Sequence, residues 1–496
     1  MPSEPPATFT ETDAALVAAD CRYLERDWAA ALALYERLCA ADPTAVQARA
    51  LAVGIGHCRV ELAAADALDA LPLEHAPCPD SPRRTVFVLR ARHRALEMCD
   101  AGEARRAARL LRFLAGFDDA LGATYKGQIL AGRSAHPSAP VDAVPGFLAA
   151  TGLTDDAVAA AKERHRGRRI LAAHPRYLAR SYEVSDNLMR AARAFGLEVQ
   201  EFNVRAAEAD PDTYASALLA AIVAFRPEVV YFADLFENDA SAFVPAVREQ
   251  VAEVLALARS NLGVRVVRYL QDGWRTAVRV GSDLYAELGR AVDLVVHQYP
   301  CVLGIGDPAQ RARVFCYPTP CHLPVSTVEV GALPRACFTG RMHEWAYPRV
   351  VWWAESIARG LPIDWRVQLP WDTAQKLMPP ASDQAYADQL RGYAVSLSLV
   401  SRLNGARIMP GRTLETLMVG GTVLEERAPD TTYFLQPGRH YLTFETLDDL
   451  AETLPALIAD RPRRLALADA GHRWVEKYFT GDYFWAGLLD KLAALG

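Results

Sequence analysis

The chain has no Cys-x-x-Cys pair, and its nine cysteines are scattered and odd in number. Neither a disulfide framework nor a zinc knuckle is indicated, and a reducing compartment is expected. There is no run of about 20 uncharged apolar residues to span a bilayer. The opening Met1-Pro-Ser-Glu-Pro-Pro6 lacks the basic and apolar regions of a secretory signal. A soluble, cytoplasmic protein is the expectation. A long basic block is missing too: 54 Lys and Arg stand against 60 Asp and Glu, for a formal net charge of -6, which argues against a nucleic-acid partner. No Walker loop, His-Glu-x-x-His or Gly-x-Ser-x-Gly elbow occurs.

At 496 residues, 51% of them apolar, the chain is long enough for about three domains of ~150 residues, each with its own core. Residues 10 to about 125 are rich in Ala, Leu and Arg and poor in β-branched residues, which is helical composition. Ala31, Tyr35 and Leu38 followed by Pro43, and less perfectly Gly102, Ala107 and Leu111, match part of a tetratricopeptide unit. An α-solenoid or helical hairpin array is expected, with an ordinary helical bundle as the alternative.

A Gly-, Ser- and Pro-rich stretch around Gly122 to Pro145 marks a boundary. Beyond it, apolar runs at Ile170–His174, Leu197–Val204, Glu228–Asp234, Val264–Asp272 and Val292–His297 alternate with helical patterns. That spacing predicts right-handed βαβ units and a doubly wound, mostly parallel sheet. After a Pro-rich connector, about Pro318 to Pro334, a second set begins at Cys337–Arg341. It continues through Ile363–Leu369, Tyr393–Val400 and Thr422–Glu425, and closes in helices from Arg461 to Leu495. The predicted fold is α/β, two Rossmann-like domains preceded by an all-α helical repeat domain. The expected units are 1–125 (helical), 126–165 (linker), 166–330 and 331–496, with a cleft between the two sheets.

The run Asn404 to Leu424 carries most of the functional signal. A Pro-Gly turn opens a short apolar helix with Arg412 and Glu415 one turn apart, and paired glycines, Gly420-Gly421, then feed a β-branched strand. A helix N-terminus offers free N–H groups to phosphate, arginine adds a planar fork of donors, and a carboxylate accepts hydroxyls. Some lookalikes fail on context. Asp210-Pro-Asp212 reads as a helix N-cap rather than a metal-binding pair. Gly304-Ile-Gly306-Asp-Pro lacks room for the helix of a dinucleotide fingerprint. Cys316 and Cys321-His322 lack zinc-ligand spacing. The tryptophans 345, 352, 353 and 365 are expected in the core, with Trp345 the candidate exception.

Taken in order, Gly340-Arg341 after a strand, Asn404, Arg412-Thr-Leu-Glu415, Gly420-Gly421, Tyr441 to Leu450 and Ala470-Gly471-His472-Arg473 resemble the C-terminal domain of GT-B glycosyltransferases. The likeness is to the group 1, CgeB-like subset, and it covers about 160 residues strongly and the preceding ~170 in layout only. The resemblance implies sugar transfer from a nucleotide-sugar co-substrate with no cofactor and no metal. It implies that Glu415 holds the donor ribose, and that Gly340, Arg341, Asn404 and Arg412 surround the diphosphate. Many retaining members carry a second glutamate where this chain has Arg407, which leaves the stereochemical outcome open. Helices ahead of such a core also resemble the layout of protein O-glycosyltransferases, implying a protein acceptor and, through the helices, a possible homo-oligomer. Alternatives are a glycan or lipid-linked acceptor, or a non-catalytic scaffold. A catalytic base is expected from the first sheet: His174 or Asp272, with Asp234 and Glu237 next.

Overall fold

The fold is taken from a computed structural model. It describes residues 11–42, 51–64, 67–68, 70–73, 82–130, 147, 151–174, 184–203, 211–233, 245–270, 290–298, 300, 307–318, 320, 323–342, 347–369, 382–401, 407 and 409–495.

The first unit is helical: α1 (Glu11–Leu24), α2 (Trp28–Ala41), α3 (Leu51–Leu62), α4 (Pro82–Asp100), α5 (Ala104–Leu114) and α6 (Asp119–Thr124), the last running into a π-helix, Tyr125–Ile129. Asp27 caps α2 by accepting from the Ala30 N–H at 3.2 Å, and Gly102, at φ +81°, makes the turn between α4 and α5. Ala31, Tyr35 and Leu38 form the buried face of α2, while Ala107 and Leu111 are buried on α5. α1 packs on α2, α2 on α3, and α4 on α5.

The first sheet contains β1 (Arg169–His174), β2 (Glu198–Asn203), β3 (Val229–Ala233), β4 (Arg265–Leu270), β5 (Leu294–His297) and β6 (Val314–Cys316). It is parallel throughout, in the order β2-β1-β3-β4-β5-β6. The second contains β7 (Leu333–Arg341), β8 (Ile363–Gln368), β9 (Tyr393–Ser398), β10 (Val423–Glu426) and β11 (Leu442–Phe444). It is also parallel, in the order β11-β10-β9-β7-β8. Numbered within its own lobe, each sheet therefore runs 2-1-3-4-5, the first with one further strand. Both sheets of a two-lobed α/β fold thus share one winding.

Helices join the units. In the second lobe α12 (Tyr347–Ala358) packs on α5, so the helical array shares one apolar core with the second sheet, from Tyr23 and Phe113 to Trp352 and Phe444. At that junction Arg112 Nε donates to Glu355 Oε1 at 2.7 Å, and Glu355 is fully buried. The array therefore sits against the second lobe, although the first lobe follows it in the chain. After α16 (Leu447–Ala459) and α17 (Arg461–Tyr478), the last helix, α18 (Gly481–Ala494), returns to the first lobe. There it packs on α7 (Asp155–His165) and α8 (Val184–Phe195), with Lys162 Nζ 2.8 Å from Asp482 and His165 Nε2 2.8 Å from Asp490. No described helix is long and apolar enough to cross a membrane.

One close approach sets the position of α14 (Gly411–Met418), the short helix after β9. A Cβ on Gly471 of α17 would lie 2.6 Å from Leu417 Cδ2 and 2.8 Å from the His440 carbonyl oxygen, and His472 Nδ1 is 3.2 Å from the Leu417 carbonyl. Gly471→Ala should therefore cost about 1–3 kcal/mol by overpacking, seen as a lower denaturant midpoint. An unchanged midpoint would show that this contact is looser than drawn.

Candidate functional site

A doubly wound sheet opens a crevice where successive crossovers leave for opposite faces, beyond the carboxyl ends of its first and third strands. In the second lobe those strands are β7, ending in Thr339-Gly340-Arg341, and β9, whose continuation leads to α14. The same position in the first lobe is the carboxyl end of β1, where His174 is the final residue, in register with Asn203.

α14 starts without help from a side chain. Pro410, extended at φ −79° and ψ 150°, precedes it and provides no side-chain cap; of the first-turn N–H groups, that of Thr413 donates to the Pro410 carbonyl at 3.1 Å. The Arg412 guanidinium folds back over β7. Its Cζ lies 4.7 Å from the Phe338 ring centroid, and a Cβ on Gly340 would come within 2.7 Å of Nη2. Glycine is what lets the guanidinium lie against the strand. Nε and Nη1 of Arg412 are both shut away from solvent with no hydrogen-bond partner, and leaving buried charged donors unmade costs upwards of about 1–3 kcal/mol. The ring face beneath recovers only part of that.

One turn on, Glu415 makes no ion pair with Arg412, although the spacing allows one. Instead its Oε2 accepts from the Tyr386 hydroxyl at 2.6 Å, Tyr386 lying in α13 (Asp383–Gly392). Oε1 turns back toward the start of α14, where a Cβ on Gly411 would be 3.0 Å away. The guanidinium and carboxylate are held apart by separate partners, each with capacity left over: two unpartnered nitrogens on one, an acceptor oxygen on the other.

The helix is fixed from beneath. Thr413 Oγ1 lies 3.0 Å from Ser398 Oγ at the end of β9 and donates to Glu425 Oε2 on β10. Glu425 is fully buried, and desolvation pushes its carboxyl up to about 7, against the pull of the Thr413, Thr431 and Ser398 hydroxyls. On the other side, Gln389 of α13 donates to Thr339 Oγ1 at 2.7 Å.

Of the residues marked by sequence, Gly340, Arg412 and Glu415 converge at this crevice. Arg341 closes β7 in register with Gln368; its side chain, and that of His174, lie outside the described atoms. Asn404, Asp272, Asp234, Glu237 and Trp345 lie outside the described residues. Trp352 and Trp353 are core residues. Asp307 caps a five-residue helix, Pro308–Ala312, too short for a dinucleotide fold. Phe338, Tyr386, Thr413 and Glu425 were not singled out beforehand. Phe338 alone had a signal, sitting two residues before Gly340 and so on the same face of the strand.

The raised Glu425 carboxyl has a pH consequence. Between the ordinary value of 4.5 and about 7 the folded chain keeps a proton the unfolded chain releases, so this group contributes a growing penalty as pH rises through that window. Relative to Glu425→Gln, wild type should lose about 3 kcal/mol between pH 4 and 8. Unfolding free energies of both proteins at the two pH values check it, and a constant difference would refute the buried neutral carboxyl.

Residues 342–490, from the end of β7 into α18, match the family described as glycosyl transferase-like. Among solved structures, sucrose-phosphate synthase of Thermosynechococcus elongatus is 10% identical at TM-score 0.44, over 66% of this chain and 100% of that one. HepE of Anabaena, in complex with UDP and glucose, is 9% identical at TM-score 0.39, over 66% and 99%. AviGT4, a glycosyltransferase of avilamycin A biosynthesis, is 12% identical at TM-score 0.40, over 66% and 97%. These likenesses are too distant to assign anything by themselves. A search of curated proteins finds no match. The part of the chain that carries Arg412 and Glu415 thus matches a glycosyl transferase-like family, within a chain built on two parallel α/β sheets.

Proposed function

We propose that the chain transfers a sugar from a nucleoside-diphosphate donor held in the second lobe to a polypeptide acceptor. The observation that carries this reading is the Arg412 guanidinium, with Nε and Nη1 shut away from solvent and unpartnered, beside the start of α14, which has no side-chain cap. Breaking the bond between the anomeric carbon and the phosphate oxygen leaves both electrons on the diphosphate. Preorganised donors aimed at that oxygen lower the barrier as its charge grows. Arg412, with Arg341 and Asn404 in the proposed set, would neutralise the diphosphate without a metal. Glu415 would accept the ribose hydroxyls through Oε1 while Tyr386 holds Oε2.

The acceptor hydroxyl would lose its proton to a base on the first lobe, with His174 and Asp272 the proposed residues. A protein acceptor is supported by a groove of about 430 Å³ in the helical array, lined by Tyr23, Trp28, His57, Leu89, Arg90 and Glu97 among others. Trp28 and Arg90 in its lining would meet an apolar and an acidic residue of an extended peptide. Closure of the lobes about the connector would exclude water from the activated donor.

Calorimetry with UDP, GDP, dTDP, ADP and CDP, in EDTA throughout, tests the donor site. One of them should bind wild type, and Arg412→Ala should weaken it about 10- to 100-fold. Arg412→Lys should restore little, lacking the fork of donors, and Gly340→Ala should fall between, by displacing Nη2. Glu415→Ala should weaken the nucleotide but leave inorganic pyrophosphate unaffected. If wild type binds none of the five, or Arg412→Ala binds as well as wild type, the donor assignment is wrong.

A further inference from the structure

Gln128, in the π-helix that ends the helical array, is 5% exposed, yet it directs both amide hydrogens out of its own unit. Its Nε2 donates to Ser401 Oγ at 2.9 Å and to Glu426 Oε1 at 2.5 Å. Glu426 is the last residue of β10 and wholly buried. Its Oε2 accepts from the backbone N–H groups of Val400 at 2.9 Å and Ser401 at 3.0 Å, and its Oε1 also accepts from Ser401 Oγ. A single carboxylate on β10 therefore gathers four donors from two other parts of the chain: the exit of β9 and the helical array.

What this hub holds is the root of the donor-site connection. Ser401 forms an antiparallel bridge with Arg407, which ties the exit of β9 to a residue shortly before Arg412. Adhesion of the array needs no such device. The shared apolar core and the Arg112–Glu355 pair already supply it, and a buried polar contact adds less to stability than to the choice of one geometry.

We propose that Gln128 is a positioning residue of the donor site, through which the helical array sets the geometry of the β9–α14 connection; the word donor here rests on the function proposed above. Loss of its amide leaves a buried carboxylate lone pair unfilled and removes a donor from Ser401 Oγ. Glu426 then keeps only the donors of Val400 and Ser401, and no hydrogen bond from Gln128 ties the exit of β9 to the array.

The test uses the full chain and two independent measurements: amide hydrogen exchange at Val400 and Ser401, and affinity for whichever nucleoside diphosphate binds wild type. The variants are Gln128→Leu, Glu426→Gln, their double combination, and Arg112→Ala, which loosens the same interface without touching the hub. Gln128→Leu should speed exchange at the two amides about tenfold and weaken the nucleotide about three- to tenfold, the scale of one or two lost charge-assisted hydrogen bonds. Arg112→Ala should leave both within about twofold, and the double variant should be less than multiplicative. Unchanged exchange in Gln128→Leu, or an equal effect from Arg112→Ala, overturns the inference. Failure of the donor reading shows separately, as no nucleotide binding by wild type, and leaves the exchange experiment to decide whether the array controls the connection.

Discussion

An arginine guanidinium taken out of water without an anion is the constraint around which the second lobe is organised. Arg412 can lie against β7 only because Gly340 has no side chain there, and it is partly compensated only by the Phe338 ring. Two of its nitrogens remain without partners although Glu415 is one turn away. Pairing with Glu415 was available and is not made, because Tyr386 engages the carboxylate from α13. A stability-optimised helix would have closed that ion pair. Keeping the groups apart stores unfilled donors and an unfilled acceptor a few ångströms from one another, which suits a ligand that is anionic at one end and hydroxylated at the other.

The wider fold holds that site from several sides. α17 presses on α14 at Gly471, and β9 and β10 hold its first turn through Ser398 and Glu425. Between the lobes the described chain crosses twice: through the segment after β6, and at Phe479-Thr480, where α17 ends and α18 leaves for the first lobe. Along that second crossing one apolar cluster runs from Ile170 and Tyr231 of the first sheet through Trp485 to Leu414 and Phe434 of the second lobe, so the underside of α14 is packed into the junction of the two.

Much of the architecture was legible in sequence because parallel strands buried on both faces read as short continuous apolar runs, and these stand out against amphipathic helices. Leu294–His297 and Tyr393–Ser398 are of this kind. β11 escaped notice because three residues are too few to show any period. Gly340, Arg412 and Glu415 stood out in sequence because the first lies at the end of a strand and the other two in the opening turns of a helix, positions where local chemistry points to a ligand. Tyr386 and Gln128 were not. Nothing local distinguishes a helical tyrosine that meets Glu415, or a glutamine whose partners lie 273 and 298 positions away. The seating of the array on the second lobe was invisible for the same reason, since α5 is amphipathic whichever lobe its apolar face meets.

The adjacent acids Glu425 and Glu426 show how that long-range order is imposed. Two consecutive buried carboxyls in a four-residue strand are a liability on any account of stability. The pleat sends them to opposite faces, and each face answers the cost differently. Toward α14, Glu425 has its carboxyl raised to about 7 and takes the Thr413 hydroxyl, so less negative charge stands beneath the helix end than an ordinary carboxylate would leave there. Toward the array, Glu426 is surrounded by four donors. An anion fixed under α14 would have competed with the ligand for Arg412, and an apolar residue in place of Glu426 would have left the Val400 and Ser401 N–H groups unpaired. The pair makes sense only if β10 is asked to set the strand exit and the helix entry together, which is what a site at a topological switch point requires.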